Sequence, residues 1–244
     1  MKKLTVALLA AAAVSSAASA NSGFYLGASA GVAQTNVKYN YHTTDATSAA
    51  TTQNTNFDGG KAGGLFGLFA GYGMMVGQGA YVGGEIYGGF DTSSVKPFDD
   101  KSGSTVVFWT TKLERKYFYG LAARLGYMIT PSTLAYIRLA AESGKWKATL
   151  TPGANGFGGF STSNSAKVIN KNKTGIQFAP GVGLEVSLNK NLFVRAEYSY
   201  LFGPKISFNQ DVSGYAPGVV NGTNNVHSLK TSQHAVKLGL GYKF

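Results

Sequence analysis

The sequence at residues 192–202 is LFVRAEYSYLF, in which apolar and polar side chains alternate with a period of two. Such alternation predicts a β-strand, because successive side chains of a strand point to opposite faces. The apolar face would carry Leu192, Val194, Ala196, Tyr198, Tyr200 and Phe202. The opposite face would carry Arg195, Glu197 and Ser199. This segment therefore predicts a strand with one apolar face and one charged face.

Seven further segments show the same alternation, so the sequence predicts an all-β chain of eight strands. These segments are residues 24–32, 64–72, 80–90, 115–129, 134–143, 174–188 and 232–244. The uncharged stretch 62–84 is predicted to form strands rather than a transmembrane helix. Nine of its 23 residues are Gly, and each Gly costs about 1 kcal/mol in a helix interior.

Short and long connections alternate between the predicted strands. The short ones are 73–78, 130–133 and 189–191, and the long ones are 34–61, 91–113, 144–173 and 203–231. This alternation is typical of membrane barrels, which have short periplasmic turns and long extracellular loops. A sheet in lipid must close, because an open edge would leave backbone groups unpaired. We therefore predict an eight-stranded antiparallel transmembrane up-and-down β-barrel.

The start of the chain is predicted to be a signal peptide, residues 1–20, removed on export. Met1–Lys3 is basic, residues 4–14 are apolar, and Ala18-Ser19-Ala20 has the form of a cleavage site. Residues 21–244 are then predicted to form one outer-membrane β-barrel domain. The chain has no Cys, which excludes disulfide scaffolds, thiolate metal sites and cysteine nucleophiles.

The charged residues of the predicted strands lie opposite the apolar faces, and all six Asp residues lie in predicted loops. An eight-stranded barrel is just wide enough for side chains to fill, so we predict that an ion-pair network plugs the lumen. Its members would be Glu85, Arg124, Arg138, Glu142, Glu185, Arg195, Glu197 and Lys237. The expected pairs are Glu185 with Arg195 and Lys237 with Glu197, while Arg124, Arg138 and Glu142 would pair with one another.

Several segments resemble the family of small eight-stranded outer-membrane proteins, which includes OmpA-type barrels, OmpX-type barrels and the major surface antigens of alphaproteobacteria. The matching segments are residues 23–27, 124–127, 181–185 and 195–198, together with the C-terminal KLGLGYKF at 237–244. The last is similar to the terminal signal of the family in Lys237, Gly239, Tyr242 and Phe244. The resemblance implies residence in the bacterial outer membrane and recognition of this segment by the barrel-assembly machinery.

Five lysines fall in the third long loop region with no acid among them: Lys145, Lys147, Lys167, Lys171 and Lys173. At the ends of membrane strands such lysines are predicted to contact lipopolysaccharide phosphates. A host polyanion such as heparan sulfate and a merely solvated surface are the alternatives. Nucleic acid is not an expected partner outside the membrane.

No catalytic group, cofactor or metal site is predicted. His42 and His227 lie in predicted loops without ligand spacing around them. His234 is predicted on the lipid face near Ser232, which leaves a lipid-modifying hydrolase open, although an interfacial histidine is favoured. The predicted function is a surface protein with a structural or surface-interaction role: envelope integrity, adhesion or host contact through the loops. A small-solute porin is the main alternative.

Overall fold

The computed structural model describes residues 22–44, 53–99, 109–152, 168–211 and 224–244, and its regular elements are all β-strands. They are β1 (Gly23–Thr44), β2 (Gln53–Val76), β3 (Ala80–Asp91), β4 (Ser94–Asp99), β5 (Trp109–Thr130), β6 (Thr133–Pro152), β7 (Ile169–Lys173), β8 (Ile176–Ser187), β9 (Leu192–Asp211) and β10 (Asn224–Lys243). Within these residues no helix is long and apolar enough to cross a membrane. The predicted signal peptide lies outside the described residues.

The strands form a closed antiparallel ring. Each long strand pairs with the next one along the chain, and β1 closes the ring by pairing with β10. The short strands β4 and β7 pair with β5 and β6, beside β3 and β8. They therefore continue β3 and β8 after a break. The ring has eight strands in up-and-down order, which confirms the predicted fold class.

Three tight connections lie at one end of the barrel, which we call the turn end. They are residues 77–79, 131–132 and 188–191. In the first, Gly77 and Gly79 have φ angles of +62° and +118°. L-residues with a side chain rarely adopt these angles, so this turn requires glycine.

An apolar band surrounds the barrel next to the turn end. Its outward side chains include Leu68, Phe90 and Leu238, which are 67–69% exposed. At the turn end, Phe24 packs edge-on against Tyr72 with centroids 4.8 Å apart, and Tyr242 against Phe244 at 5.1 Å. A continuous belt of exposed apolar side chains edged by aromatic rings is typical of a barrel in lipid.

The strands continue well beyond this band, which corrects the predicted loop boundaries. β1 runs to Thr44, β2 begins at Gln53, β6 runs to Pro152, and β10 begins at Asn224. Much of the segments predicted as loops is therefore strand. We call this part of the barrel the extended end.

The predicted strands end too early because the pattern of apolar residues changes at the edge of the band: apolar side chains point outward within it and inward beyond it. In the band, the outward residues of β1 are apolar, as at Leu26 and Val32. Further on, Val37 and Tyr39 point inward and are buried, whereas Lys38 is exposed. Where water replaces lipid, the polar residues belong outside and the apolar residues inside.

The inner face of the extended end forms an apolar core. It contains Val37, Tyr39, Val95, Leu113, Trp146, Ala148, Leu201, Ile206 and Leu229, all of them buried. Trp146 is fully buried, and its Nε1 donates a hydrogen bond to Gln177 Oε1 at 3.3 Å. The extended end is thus a packed structure with its own core.

Candidate functional site

The eight charged residues predicted for the lumen all lie on the inner face of the barrel, where they form ion pairs. Seven of them are buried, and the side chain of Lys237 is 15% exposed. Four of the ion pairs are Arg124 Nη2 to Glu185 Oε2 at 2.6 Å, Arg195 Nη1 to Glu85 Oε2 at 2.5 Å, Arg138 Nε to Glu197 Oε2 at 3.7 Å and Lys237 Nζ to Glu197 Oε1 at 2.7 Å. We call this network the plug.

The pairing within the plug differs from the prediction, although the expected Lys237–Glu197 pair is present. Glu185 and Arg195 lie opposite each other on β8 and β9, yet Glu185 binds Arg124 of β5 and Arg195 binds Glu85 of β3. The predicted Glu185–Arg195 pair is therefore wrong. Long side chains in a narrow barrel also reach strands that are not hydrogen-bonded neighbours, so strand adjacency alone does not determine the partner.

The predicted pairing of Arg124, Arg138 and Glu142 with one another is also wrong. Arg124 and Arg138 lie opposite each other on β5 and β6, and two cations cannot neutralise one another. Arg124 takes Glu185, Arg138 takes Glu197, and Glu142 takes Arg115.

Aromatic rings fill the space between the ion pairs. The guanidinium carbons of three arginines lie over ring centroids: Arg195 over Phe69 at 3.5 Å, Arg124 over Tyr136 at 4.0 Å and Arg138 over Tyr87 at 4.1 Å. Such stacking is favourable and displaces water. The cavity that remains beside Glu85, Arg138 and Lys237 has a volume of about 10 Å³, roughly the least that holds one water molecule.

The plug has a further part that the alternation of the sequence does not predict. Arg115 forms an ion pair with Glu142, and it donates to Gln233 Oε1 at 2.6 Å. Gln233 Nε2 in turn donates to Asp91 Oδ2 at 2.7 Å. The ladder shifts register between Arg115 and Phe118, which reverses the facing of the preceding residues. The alternation of β5 therefore places Arg115 on the wrong face.

Two further differences from the prediction concern the Asp residues and Lys243. Asp91 lies in β3, and Asp58, Asp99 and Asp211 also lie in strands, so the assignment of every Asp to a loop is wrong. Lys243 Nζ lies 2.9 Å from Glu185 Oε1, so this lysine also belongs to the plug. Its even spacing from Lys237 on β10 could have identified it as an inward residue.

Three residues of the predicted C-terminal signal lie on β10, and Phe244 follows directly after the strand. Lys237 and Gly239 face the plug, whereas the rings of Tyr242 and Phe244 face outward at the turn end. A Cβ at Gly239 would come within 3.0 Å of Arg195 Cγ, so glycine leaves room for the plug. Recognition of this segment by the assembly machinery remains a prediction.

The basic residues of the third predicted loop lie partly on strands. Lys145 and Lys147 face outward on β6, Lys171 and Lys173 lie on β7, and Lys167 is outside the described residues. Lys171 Nζ donates to Ser207 O at 2.6 Å. The structure also places an acid here, because Glu114 of β5 lies opposite Lys147.

The histidines differ in their surroundings. His227 lies in β10 rather than in a loop, above the apolar band, and its Nδ1 is 2.5 Å from Tyr39 Oη. Burial lowers the pKa of His227 to about 4. His234 is exposed, and its Nδ1 is 2.8 Å from the hydroxyl of Tyr198 rather than from a serine. His42 lies in β1.

A metal centre finds no support in the described part of the chain, which holds no group of three or more His, Cys, Asp or Glu residues able to bind an ion. The features that do stand out are the plug, the apolar core above it and the basic outer surface.

The closed ring, the apolar band and the filled lumen define an outer-membrane β-barrel. The chain belongs to the outer membrane protein β-barrel domain family, whose model matches residues 4–244, and this family places it in the bacterial outer membrane.

Comparison with solved structures finds other small outer-membrane barrels. OprG from Pseudomonas aeruginosa is 17% identical, with a TM-score of 0.49, and the match covers 92% of this chain and 97% of OprG. Ail of Yersinia pestis is 16% identical, with a TM-score of 0.40 and coverage of 91% and 99%. Neisserial surface protein A is 16% identical, with a TM-score of 0.39 and coverage of 91% and 98%. Ail has also been solved with the heparin analogue sucrose octasulfate. A comparison with curated proteins found no match.

Proposed function

We propose that this protein is a non-conducting surface protein of the outer membrane, whose extended end contacts anionic polysaccharide outside the cell. The observation that supports this proposal most directly is that side chains fill the lumen. The plug occupies the barrel at the level of the apolar band, and an apolar core occupies the extended end. In the described part of the chain both layers are filled by side chains, which argues against the small-solute porin.

The orientation follows from the lengths of the connections. Membrane barrels of this kind have their short turns in the periplasm and their longer segments outside the cell. The tight turns and Phe244 lie at the same end of this barrel. The extended end would then project from the cell surface, as a structural or interacting element rather than an enzyme.

The contact surface would include Lys145, Lys147, Lys171 and Lys173. These residues lie on one side of the extended end, on the neighbouring strands β6 and β7. Their partner would be the phosphates of lipopolysaccharide or the sulfates of a host polysaccharide, because both present dense negative charge to lysine. The barrel-assembly machinery would be a partner only during biogenesis.

Binding of purified refolded protein to immobilised heparin and to lipopolysaccharide tests this role. Replacing the four lysines by Gln should reduce binding to at least one of the two polyanions, and high salt should weaken wild-type binding. Lys190→Gln, in a turn at the other end of the barrel, is the control and should bind as wild type does. Equal binding by the fourfold variant and the wild type would contradict the assigned surface.

A further inference from the structure

Three other lysines form a transverse row on the outer wall of the extended end. Lys38 of β1 lies opposite Lys230 of β10, which lies opposite Lys205 of β9. All three side chains are exposed. Neighbouring strands are about 4.8 Å apart, and like charges directly opposite each other destabilise a sheet. The row thus concentrates positive charge at a cost in stability.

The surroundings of the row leave most of this charge uncompensated. No ion pair between described residues includes any of the three lysines. One acid borders the row: Asp58 of β2 lies opposite Lys38, on the side of β1 away from β10. On the wall formed by β5 and β6, by contrast, Lys112 Nζ lies 2.8 Å from Glu114 Oε1.

Uncharged polar residues border the row along the strands. Asn40 and Ser228 lie opposite each other on the side away from the band, and Asn36 and Ser232 on the side nearer to it. Amide and hydroxyl groups at these positions can add hydrogen bonds to the oxygens of an anion. The patch therefore combines three cations with neutral hydrogen-bonding groups.

A bulge places Lys205 in the row. The register of β9 and β10 shifts by one residue between Ser232–Phe202 and Lys230–Lys205. Without the extra residue, Lys205 would lie opposite Leu229, whose side chain points into the core. Thr231 Oγ1 donates to Pro204 O at 3.0 Å and holds the bulge. Bulges re-aim side chains, and this one turns a lysine to the outer face.

The row lies just beyond the apolar band. The last exposed apolar side chain on this wall is Phe202 of β9, which lies opposite Ser232, and Lys230 comes two residues before Ser232 along β10. That separation is about 7 Å along a strand, or about 5 Å along the membrane normal at a usual strand tilt. The headgroup layer of a leaflet is about 5–8 Å thick. The row therefore lies at the level of the charged headgroups, and in the proposed orientation this leaflet is the one that contains lipopolysaccharide.

We propose that Lys38, Lys205 and Lys230 bind phosphate groups on the saccharide head of a lipopolysaccharide molecule that lies against β9, β10 and β1. The proposal rests on the orientation given under the proposed function, but on a different surface from the four rim lysines. Its ligand is a lipid of the same leaflet rather than a soluble polysaccharide.

The test measures binding of purified rough lipopolysaccharide to the detergent-solubilised barrel. The variant Lys38→Gln/Lys205→Gln/Lys230→Gln should bind about 100-fold more weakly, at roughly tenfold for each 1.4 kcal/mol and about 1 kcal/mol for each lysine. Wild type should lose a similar factor with the same lipopolysaccharide after dephosphorylation. The control Lys112→Gln/Lys190→Gln, which lies outside both lysine surfaces, should keep most of its affinity.

Three results would overturn the proposal. The row variant could bind with wild-type affinity, or dephosphorylated lipopolysaccharide could bind as tightly as the intact form. The third is that heparin of the same total charge displaces the lipid from the row. Without lipid, the row variant should unfold at a higher temperature because the repulsion is relieved. A lower midpoint would show that the lysines serve the fold instead.

Orientation is tested separately. The chain has no native Cys, so Lys171→Cys, at an exposed position of the extended end outside the row, should react in whole cells with a membrane-impermeant maleimide. Failure to react would contradict the proposed orientation without affecting the binding measured in detergent.

Discussion

The individual charged residues of the lumen depend on partners that reach them from other strands. Glu85 accepts from Arg195 at 2.5 Å and from Tyr25 Oη at 3.2 Å, and the ring of Phe69 covers the guanidinium. A carboxylate buried in this way is stable only while its cation is present, since the loss of one partner leaves an uncompensated charge.

Arg195→Ala should therefore lower the free energy of unfolding by about 3–5 kcal/mol, measured by urea titration of the protein in lipid vesicles. Lys112→Ala is the control, because the Lys112 and Glu114 side chains are 42% and 27% exposed and such pairs contribute about 0–1 kcal/mol. Equal effects of the two substitutions would show that the plug is not what stabilises the barrel.

His227 should make the extended end sensitive to acid. Its pKa is lowered from 6.5 to about 4 by burial, so between these values the unfolded chain binds a proton that the folded protein does not. Stability should therefore fall as pH falls from about 6.5 to about 4, by at most about 3 kcal/mol.

Hydrogen exchange of the backbone amides at 34–40 and 226–232 measures this effect at stepped pH values. His227→Phe removes the titrating group and should flatten the dependence. A variant that retains the full pH dependence would assign it to another group.

At the scale of the strand, the sequence predicts the band well and the extended end poorly. Leu192–Phe202 alternates with the apolar side outward, and that pattern is recognisable because lipid requires it. Beyond the band the same strands carry the apolar side inward, so a rule based on one sense of alternation ends each strand at the membrane edge. The bulges at 115–118 and 230–232 reverse the facing again. Gly203-Pro204 marks the second bulge, but it reads equally well as the end of a strand, and no Gly or Pro marks the first. Strand number and most plug members were therefore predictable, while strand length, Arg115 and the partners across the lumen were not.

The packed extended end leads to a prediction for Trp146. Trp146→Ala removes a fully buried ring from the apolar core, which typically costs about 3–5 kcal/mol. Trypsin should then cleave within the extended parts of β5, β6 and β10, while the strands in the band stay resistant. Thr149→Ala, at an outward position on β6, should leave the digestion pattern unchanged.

The end of β10 leads to a prediction about biogenesis. Deletion of Phe244 should reduce the heat-modifiable, membrane-assembled form and leave unfolded protein in the periplasm, because the aromatic terminus is the expected assembly signal. Phe202→Ala, an exposed ring on β9 far from the terminus, should assemble normally. Normal assembly of the deletion variant would contradict the assignment of the signal.

For the barrel as a whole, two different kinds of side chain fill the described part of the lumen. Ion pairs and aromatic rings occupy the part inside the apolar band, and an apolar core occupies the extended end. Inside the band, where the outer face is apolar, the inner face carries the charges. At the extended end, where the outer face is polar, the inner face carries the apolar residues. The same reversal of alternation therefore explains the strand pattern, the plug and the exposed lysines.

The most direct test of the filled lumen is the electrical conductance of the purified protein in a planar lipid bilayer, with insertion verified in proteoliposomes made from the same preparation. The inserted wild-type protein should give no steady conductance steps across the usual voltage range, because side chains fill its lumen. Reproducible single-channel steps from the folded wild-type protein would show that the lumen is open.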